Sequence, residues 1–299
     1  MDTNTTAKVL AGHAVRIAEE LRAPAIIVSG EIELEDFETD IPIYYVTRRQ
    51  KSIIDNLISD TVDEGDHLKK IIEPINRETS GNVQYIEEAA AIEHIIGELR
   101  EGTIVGLIQT KESSAIVIHE ISQSPLIRIL QECEERIEPE VMRAALTIAF
   151  DIAASGREGH KIGTAFILGD TEEVMERSHQ MILNPYAGHK DEHRNILVKK
   201  NWESIKEFAL LDGIFVISEE GLVHAAGRYL DVDAKDIDIE KGLGGRHVSA
   251  AAITRDTFAI AVTISESGGT VRVYMDGKEL LCLDYIERPV LGNARQRLQ

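Results

Sequence analysis

Apolar positions in the first third of the chain alternate between a helical and a strand rhythm. From Ala7 to Leu21 they recur at Leu10, Ala14, Ile17, Ala18 and Leu21, the spacing of an amphipathic helix that leads through Pro24 into the strand Ala25-Ile26-Ile27-Val28-Ser29. Ile43-Tyr44-Tyr45-Val46 reads as a second strand, Gln50 to Ile58 as a short helix, Leu68 to Ile72 as a third strand and Asn82 to Arg100 as a long helix. Thr103 to Ile108 and Ala115 to Ile118 complete the alternation, which predicts a mostly parallel sheet covered by helices. The turns Ser29-Gly30-Glu31 and Gln109-Thr110-Lys111 carry the residues that turn chemistry itself demands, so they read as structural.

A boundary is expected near Glu120 to Pro125, giving one α/β domain over 1–122 and a second over 123–299. Pro139 through Ser155 predicts a helix with Val141, Ala145, Ile148, Ala149 and Ile152 on one face, closed by Gly156. Strand patterns then dominate: Ile162 to Leu168, Gly213 to Ile217, Leu222 to Ala225, Phe258 to Ile264, Val271 to Met275 and Leu280 to Leu283. Helices are expected at Glu172 to Met181, Trp202 to Leu210 and Arg246 to Arg255. The result is a central mixed sheet flanked by helices.

At 299 residues the chain is long enough for two cores, taking about 150 residues per domain. Its 43% hydrophobic and 5% aromatic content suits an aliphatic α/β interior. A formal charge of -20 argues against a broad electrostatic footprint on nucleic acid or an anionic membrane. No stretch approaches the roughly 18 apolar residues of a spanning helix, and Met1 to Ala7 lacks a signal pattern, so a cytoplasmic protein is expected. Cys133 and Cys282 lie far apart without CxxC spacing, which indicates two buried thiols and neither zinc nor a disulfide.

The chemistry concentrates late in the chain. Gly242-Leu243-Gly244-Gly245-Arg246-His247-Val248-Ser249 runs into Ala250-Ala251-Ala252, a glycine-rich turn opening onto a helix N-terminus. Free N–H groups and the helix dipole favour an anion there; Arg246 adds a bidentate donor, and His247 and Ser249 add further hydrogen bonds. A tight turn before a helix has the same appearance, and two neighbouring segments favour phosphate. Asp212-Gly213 stands at the mouth of the strand Ile214 to Ile217, and Ser265-Glu266 at the end of Phe258 to Ile264. Two acids beside an Arg-His pair suit a metal-bound triphosphate, since hard divalent ions are held by one or two carboxylates plus substrate phosphates.

Asp212-Gly213, Gly245-Arg246-His247 and Ile264-Ser265-Glu266, in that order, resemble the diadenylate cyclase (DAC) domain, whose enzymes condense two ATP into cyclic di-AMP. The resemblance extends to Glu158-Gly159-His160-Lys161-Ile162-Gly163-Thr164-Ala165-Phe166-Ile167-Leu168-Gly169-Asp170 and Leu183-Asn184-Pro185-Tyr186, covering roughly the second half. The first half resembles the pyruvate-kinase-like α/β domain of the archaeal type of this cyclase. Two motif positions depart: where the family commonly reads Asp-Gly-Ala and Arg-His-Arg, this chain has Ile214 and Val248, and the second arginine's phosphate contact is missing.

While the charge and the N-terminal pattern make a cytoplasmic protein without nucleic acid or membrane partners the expectation, the resemblance implies a nucleotidyltransferase working as a homo-oligomer, its catalytic pair of protomers face to face. It implies Mn²⁺ or Mg²⁺ on Asp212 and Glu266, catalysis by Asp212, Arg246 and His247, and ATP contacts from Gly213, Leu230, Gly245, Arg246, His247, Ser249, Ser265 and Glu266. The first domain would be regulatory. A rival reading is a non-catalytic module that senses an adenine nucleotide through the same pocket.

Other candidates weigh less. His189 and His193 are four apart, but Lys190 and Arg194 would repel a cation and no third ligand is indicated. His13, His67, His94 and His119 default to surface or satisfied core positions; Lys241 and Arg228 are within reach of phosphate but default to solvated charges flanking a loop.

Overall fold

A tight turn decides the topology of the first sheet. In the computed structural model, which describes residues 3–30, 39–46, 83, 85–95, 97, 99–110, 113–156, 160–237, 239, 242–266, 269–283 and 290–291, β1 (Ile26–Ser29) lies between β2 (Ile43–Val46) and β3 (Thr103–Gln109), parallel to both. The strand β4 (Ser114–Glu120) runs antiparallel to β3, because Thr110 N–H donates to the Ser113 carbonyl and closes a hairpin. Two strands joined so closely cannot be parallel, since a parallel pair needs a crossover of a dozen or more residues. The expected mostly parallel sheet is therefore parallel at its centre with antiparallel edges. The helix α1 (Thr3–Leu21) buries Ala11, Ala14, Val15 and Ala18 against Ile26, Val28, Val105 and Leu107, and a second helix, α2, covers 85–95. The expected helix Gln50 to Ile58, the strand Leu68 to Ile72, His67 and the start of the helix at Asn82 lie outside the described residues, as do Glu31 and Lys111.

Contacts divide the chain into Met1–Ser124 with Ile286–Gln299, and Pro125–Tyr285. The last stretch groups with the first unit, and not with the second as its sequence position suggested, because Val290 and Leu291 of β12 (Val290–Leu291) pair with Tyr45 and Tyr44.

The second unit opens with α3 (Pro125–Cys133), which the sequence pattern did not separate from the boundary, and α4 (Pro139–Ser155). Its remaining elements are β5 (Thr164–Leu168), α5 (Thr171–Glu176), β6 (Ser178–Gln180), the single turn α6 (Asp191–Arg194), α7 (Trp202–Phe208), β7 (Ile214–Ile217), β8 (Val223–Leu230), α8 (Gly245–Asp256), β9 (Ile260–Ile264), β10 (Val271–Met275) and β11 (Lys278–Leu283). They form a seven-stranded sheet ordered β11-β10-β9-β5-β7-β8-β6. Among the described residues of this sheet, only β5 and β7 pair in parallel. The expected helix Glu172 to Met181 stops after Glu176, and its tail becomes β6, paired to β8.

Alternation along β5 sends Ala165 and Ile167 toward Ala250, Ala251 and Ile253 of α8, while Phe166 and Leu168 take the other face, where Phe166 meets Phe215 edge to face at 5.3 Å. Cys133 is buried, and burial pushes its thiol up to about 12; Cys282 is exposed, contrary to expectation, because it sits on the outermost strand of the sheet. Among the described residues no helix is long and apolar enough to cross a membrane.

Candidate active site

The mixed sheet gathers four sequence-distant segments at one end. Antiparallel pairing sets Ile264, the last residue of β9, beside Thr164, the first of β5, and Ile214, the first of β7, beside Arg228 near the end of β8. The N-termini of β5 and β7 and the C-termini of β8 and β9 therefore share an edge, and α8 begins there. Between them lies a cleft of about 840 Å³. Asp212, Gly213, Leu230, Gly245, Arg246, His247, Ser249, Ser265 and Glu266, all nine residues singled out in the sequence, line it.

The glycine-rich turn opens onto a helix at Gly245. The helix α8 has Gly244 as its N-cap and no side-chain cap; His247 N–H donates to the Gly244 carbonyl at 3.0 Å, which leaves the Gly245 and Arg246 N–H groups to an anion. Arg246 Nη2 lies 3.3 Å from Asp212 Oδ1, and the Asp212 side chain is 82% exposed. Ser249 Oγ donates to the Gly245 carbonyl at 2.9 Å, which ties the hydroxyl expected to grip phosphate to its own helix. Gly213 has φ +116°, and a Cβ there would stand 2.7 Å from the Arg228 carbonyl oxygen; only glycine lets this segment enter β7 beside β8. Leu230 is buried beneath the cleft with Ile214, the first of the two variant motif positions. Val248, the second, is half-buried on α8.

His247 changes character in the folded chain. It is 6% exposed, and burial, followed by the nearby Arg272 and Arg246, pulls its imidazole down to about 4. At neutral pH it is an uncharged hydrogen-bonding group and not a cation. Its Nδ1 is 3.2 Å from the Tyr274 hydroxyl and 3.0 Å from Thr263 Oγ1.

Several lining residues were not singled out as site residues: His160, Lys161, Met181, Tyr229, Gly244 and Ile264, together with Arg228. Lys161 had a signal, since it follows His160 immediately before a strand. Arg228 departs from its expectation as a solvated charge. It is buried, its Nε donating to Ser178 Oγ at 2.8 Å and its Nη2 to the Met175 carbonyl at 2.8 Å and to the Ser178 carbonyl, so it ties β8 to β6. His189 and His193 are both exposed, and among the described residues no three His, Cys, Asp or Glu converge on a metal position. His13 and His94 have local partners, Arg16 and the Leu99 carbonyl, and His119 pairs with Glu87 at 3.3 Å. Lys241, Glu158 and Gly159 lie outside the described residues.

Residues 151–279 match the DAC family, described as "DisA bacterial checkpoint controller nucleotide-binding". That match spans every residue lining the cleft. Residues 9–122 match a family described as "Probable sensor domain DacZ_A", which replaces the expected pyruvate-kinase-like description of the first half. The chain is 45% identical over 153 residues to a diadenylate cyclase of Methanocaldococcus jannaschii, covering 51% of this chain and 47% of that one. It is 40% identical over 151 residues to a diadenylate cyclase of Haloferax volcanii, covering 50% and 54%. The chain thus spans about half the length of the curated relatives it matches. Among solved structures it is similar to DacA from Staphylococcus aureus, with a TM-score of 0.35, 21% identity and coverage of 54% of this chain and 93% of that chain.

Proposed function

We propose that the second unit is a diadenylate cyclase, joining two ATP molecules into cyclic di-AMP with release of two pyrophosphates. The observation that carries this reading is the convergence of Asp212, Arg246, His247, Ser265 and Glu266 on one cleft at an uncapped helix N-terminus, within the segment that matches the DAC family. The two relatives bearing that activity in their names support it.

The residues that face the cleft support a role for each in this reaction. The α8 N–H groups and the Arg246 guanidinium bind triphosphate oxygens, Arg246 leaving an exposed carboxylate to do so. Neutral His247 donates or accepts a hydrogen bond without adding charge. Lys161 adds a positive charge at the mouth, and Leu230 with Ile214 offers the apolar wall that an adenine needs. Asp212 and Glu266 are two hard donors on one cleft, a set that suits an ion arriving with phosphates and not an all-protein cage, so these two would hold Mn²⁺ or Mg²⁺. When bound, such an ion neutralises charge on the triphosphate and lowers the pKa of the attacking hydroxyl.

One cleft holds one ATP. The 3′-hydroxyl oxygen of each nucleotide attacks the α-phosphorus of the other, the bond to pyrophosphate breaks, and the hydroxyl proton passes to solvent. Two protomers must therefore meet cleft to cleft, and much of the rate gain is proximity. The first unit, by its sensor-family match, regulates or assembles this pair. Incubation of the chain with ATP and Mn²⁺, followed by mass analysis, is expected to yield cyclic di-AMP. ATP that binds and stays intact would favour the non-catalytic sensor instead.

A further inference from the structure

Behind the cleft lies a set of polar side chains that nucleotide in the cleft would reach only through His247. Tyr274 is fully buried in the layer beneath α8, its hydroxyl 3.2 Å from His247 Nδ1 and donating to Glu279 Oε2 at 3.5 Å. Thr263 Oγ1 stands 3.0 Å from the same Nδ1, and Arg272 Nε 3.1 Å from Glu279 Oε2. The strands explain how these groups meet. Thr263 pairs with Arg272 and Ala261 with Tyr274 across β9 and β10, so Thr263, Arg272 and Tyr274 share one face. Glu279 reaches that face only because the ladder slips: Val273 pairs with Leu281, but Tyr274 pairs with Glu279, where an unbroken register would oppose Leu280. Bulges re-aim side chains in this way.

A phenylalanine at 274 would fill the same space and require no polar partner, so the buried hydroxyl and the bulge need a reason beyond packing. His247 supplies one. Its Nδ1 is committed to the core, while Nε2 has no hydrogen-bond partner among the described residues and the ring lines the cleft. We propose that Tyr274, whose hydroxyl donates to Glu279 and so accepts from His247 Nδ1–H, acts with Thr263 as a positioning residue that fixes the ring plane and proton placement of His247, so that Nε2 presents its lone pair to a hydrogen-bond donor of the bound nucleotide. An imidazole with one nitrogen held by fixed partners keeps one orientation and one tautomer. The proposal rests on the reading of the cleft as an ATP site.

A double-mutant cycle tests it. Tyr274→Phe is expected to lower kcat/KM for dinucleotide formation on the order of tenfold, the scale of losing a partner behind a functional histidine. Added to His247→Ala, it should cost nothing further, because the group it positions is gone. Equal losses in both backgrounds, or no loss beside intact His247, overturn the proposal. Should Tyr274→Phe fail to fold, Thr263→Val carries the same cycle. If the wild-type chain makes no dinucleotide, the cyclase reading fails by itself, and the cycle is read as ATP affinity by calorimetry with the same deciding outcomes. A wild-type chain that does not bind ATP at all overturns both readings.

Discussion

Arg246 is held in the cleft by an exposed partner, and that governs what it can do. Its ion pair with Asp212, a side chain 82% exposed, belongs to a class worth about 0–1 kcal/mol, less than a charged phosphate offers in return. Arg246→Ala is accordingly expected to weaken ATP binding by about 1.5–3 kcal/mol, the scale of a hydrogen bond to a charged group, measured by calorimetry. Asp212→Asn should behave differently. A carboxylate that organises the ion and the 3′-hydroxyl acts mainly in the transition state, so the variant should bind ATP and form almost no product. Wild-type turnover by the folded variant would remove Asp212 from the mechanism.

His247 makes a prediction about pH at the same scale. Its folded value, near 4, lies below the ordinary 6.5 of an unfolded histidine, so the unfolded chain binds the proton more readily. The stability this gives is complete above about pH 6.5 and is lost as pH falls toward 4, on the order of 3 kcal/mol across the window at 1.36 kcal/mol per pKa unit. His247→Gln cannot titrate. Urea midpoints at pH 7 and pH 4.5 should therefore fall further for the wild type than for the variant, and parallel falls would refute the neutral buried imidazole.

At the scale of elements, Gly163 shows how a strand entrance controls a side chain on a distant helix. A Cβ at Gly163 would stand 2.7 Å from Arg246 Nη1 and 3.1 Å from Glu266 Cβ. The guanidinium is the mobile end of a long side chain, so it can move aside at small cost to the fold, but not without leaving its place in the cleft. Gly163→Ala is expected to change Tm by only about 2–4 °C, the shift of roughly 1 kcal/mol in a unit of this size, while lowering ATP affinity several-fold. A large Tm loss with unchanged affinity would make Gly163 a structural glycine only. The legibility of each element follows the same logic of local against non-local causes. Pro139–Ser155 and Val271–Met275 were readable to the residue, the helix because a proline at its first turn and Gly156 at its end bracket a clear apolar stripe. Strand direction in the first sheet was not, because apolar runs at β3 and β4 look alike in a hairpin or a crossover. The strand β6 was hidden because Ser178-His179-Gln180 gains its strand conformation from pairing with β8. Within the cleft, the residues beside glycines at strand ends were readable. Met181 and Tyr229 were not, since only the pairing of β6 with β8 brings them there, and the bulge that turns Glu279 toward Tyr274 has no local signature.

At the scale of the whole molecule, every lining residue of the cleft falls between His160 and Glu266, inside the unit Pro125–Tyr285. A fragment spanning residues 125–285 is therefore expected to fold and to keep the activity proposed for the cleft. Its dependence on concentration should expose the mechanism. One cleft presents either the 3′-hydroxyl or the α-phosphate of a given ATP to a second nucleotide, never both, so association of two copies enters the rate law. Specific activity should rise with protein concentration and level off once the pairs are saturated. Adding an excess of Asp212→Asn fragment should then suppress product, because most wild-type copies would face a half-site that binds ATP and cannot complete the second bond. If activity is instead strictly proportional to wild-type fragment, indifferent to dilution and to the dead partner, the cleft-to-cleft pairing is wrong, and sedimentation would tell a stable preassembled oligomer from a monomeric reaction. Comparison with the full chain isolates the first unit. A full chain that resists dilution where the fragment does not would assign residues 1–124 the task of assembling the pair, and identical curves would leave the first unit to regulation alone.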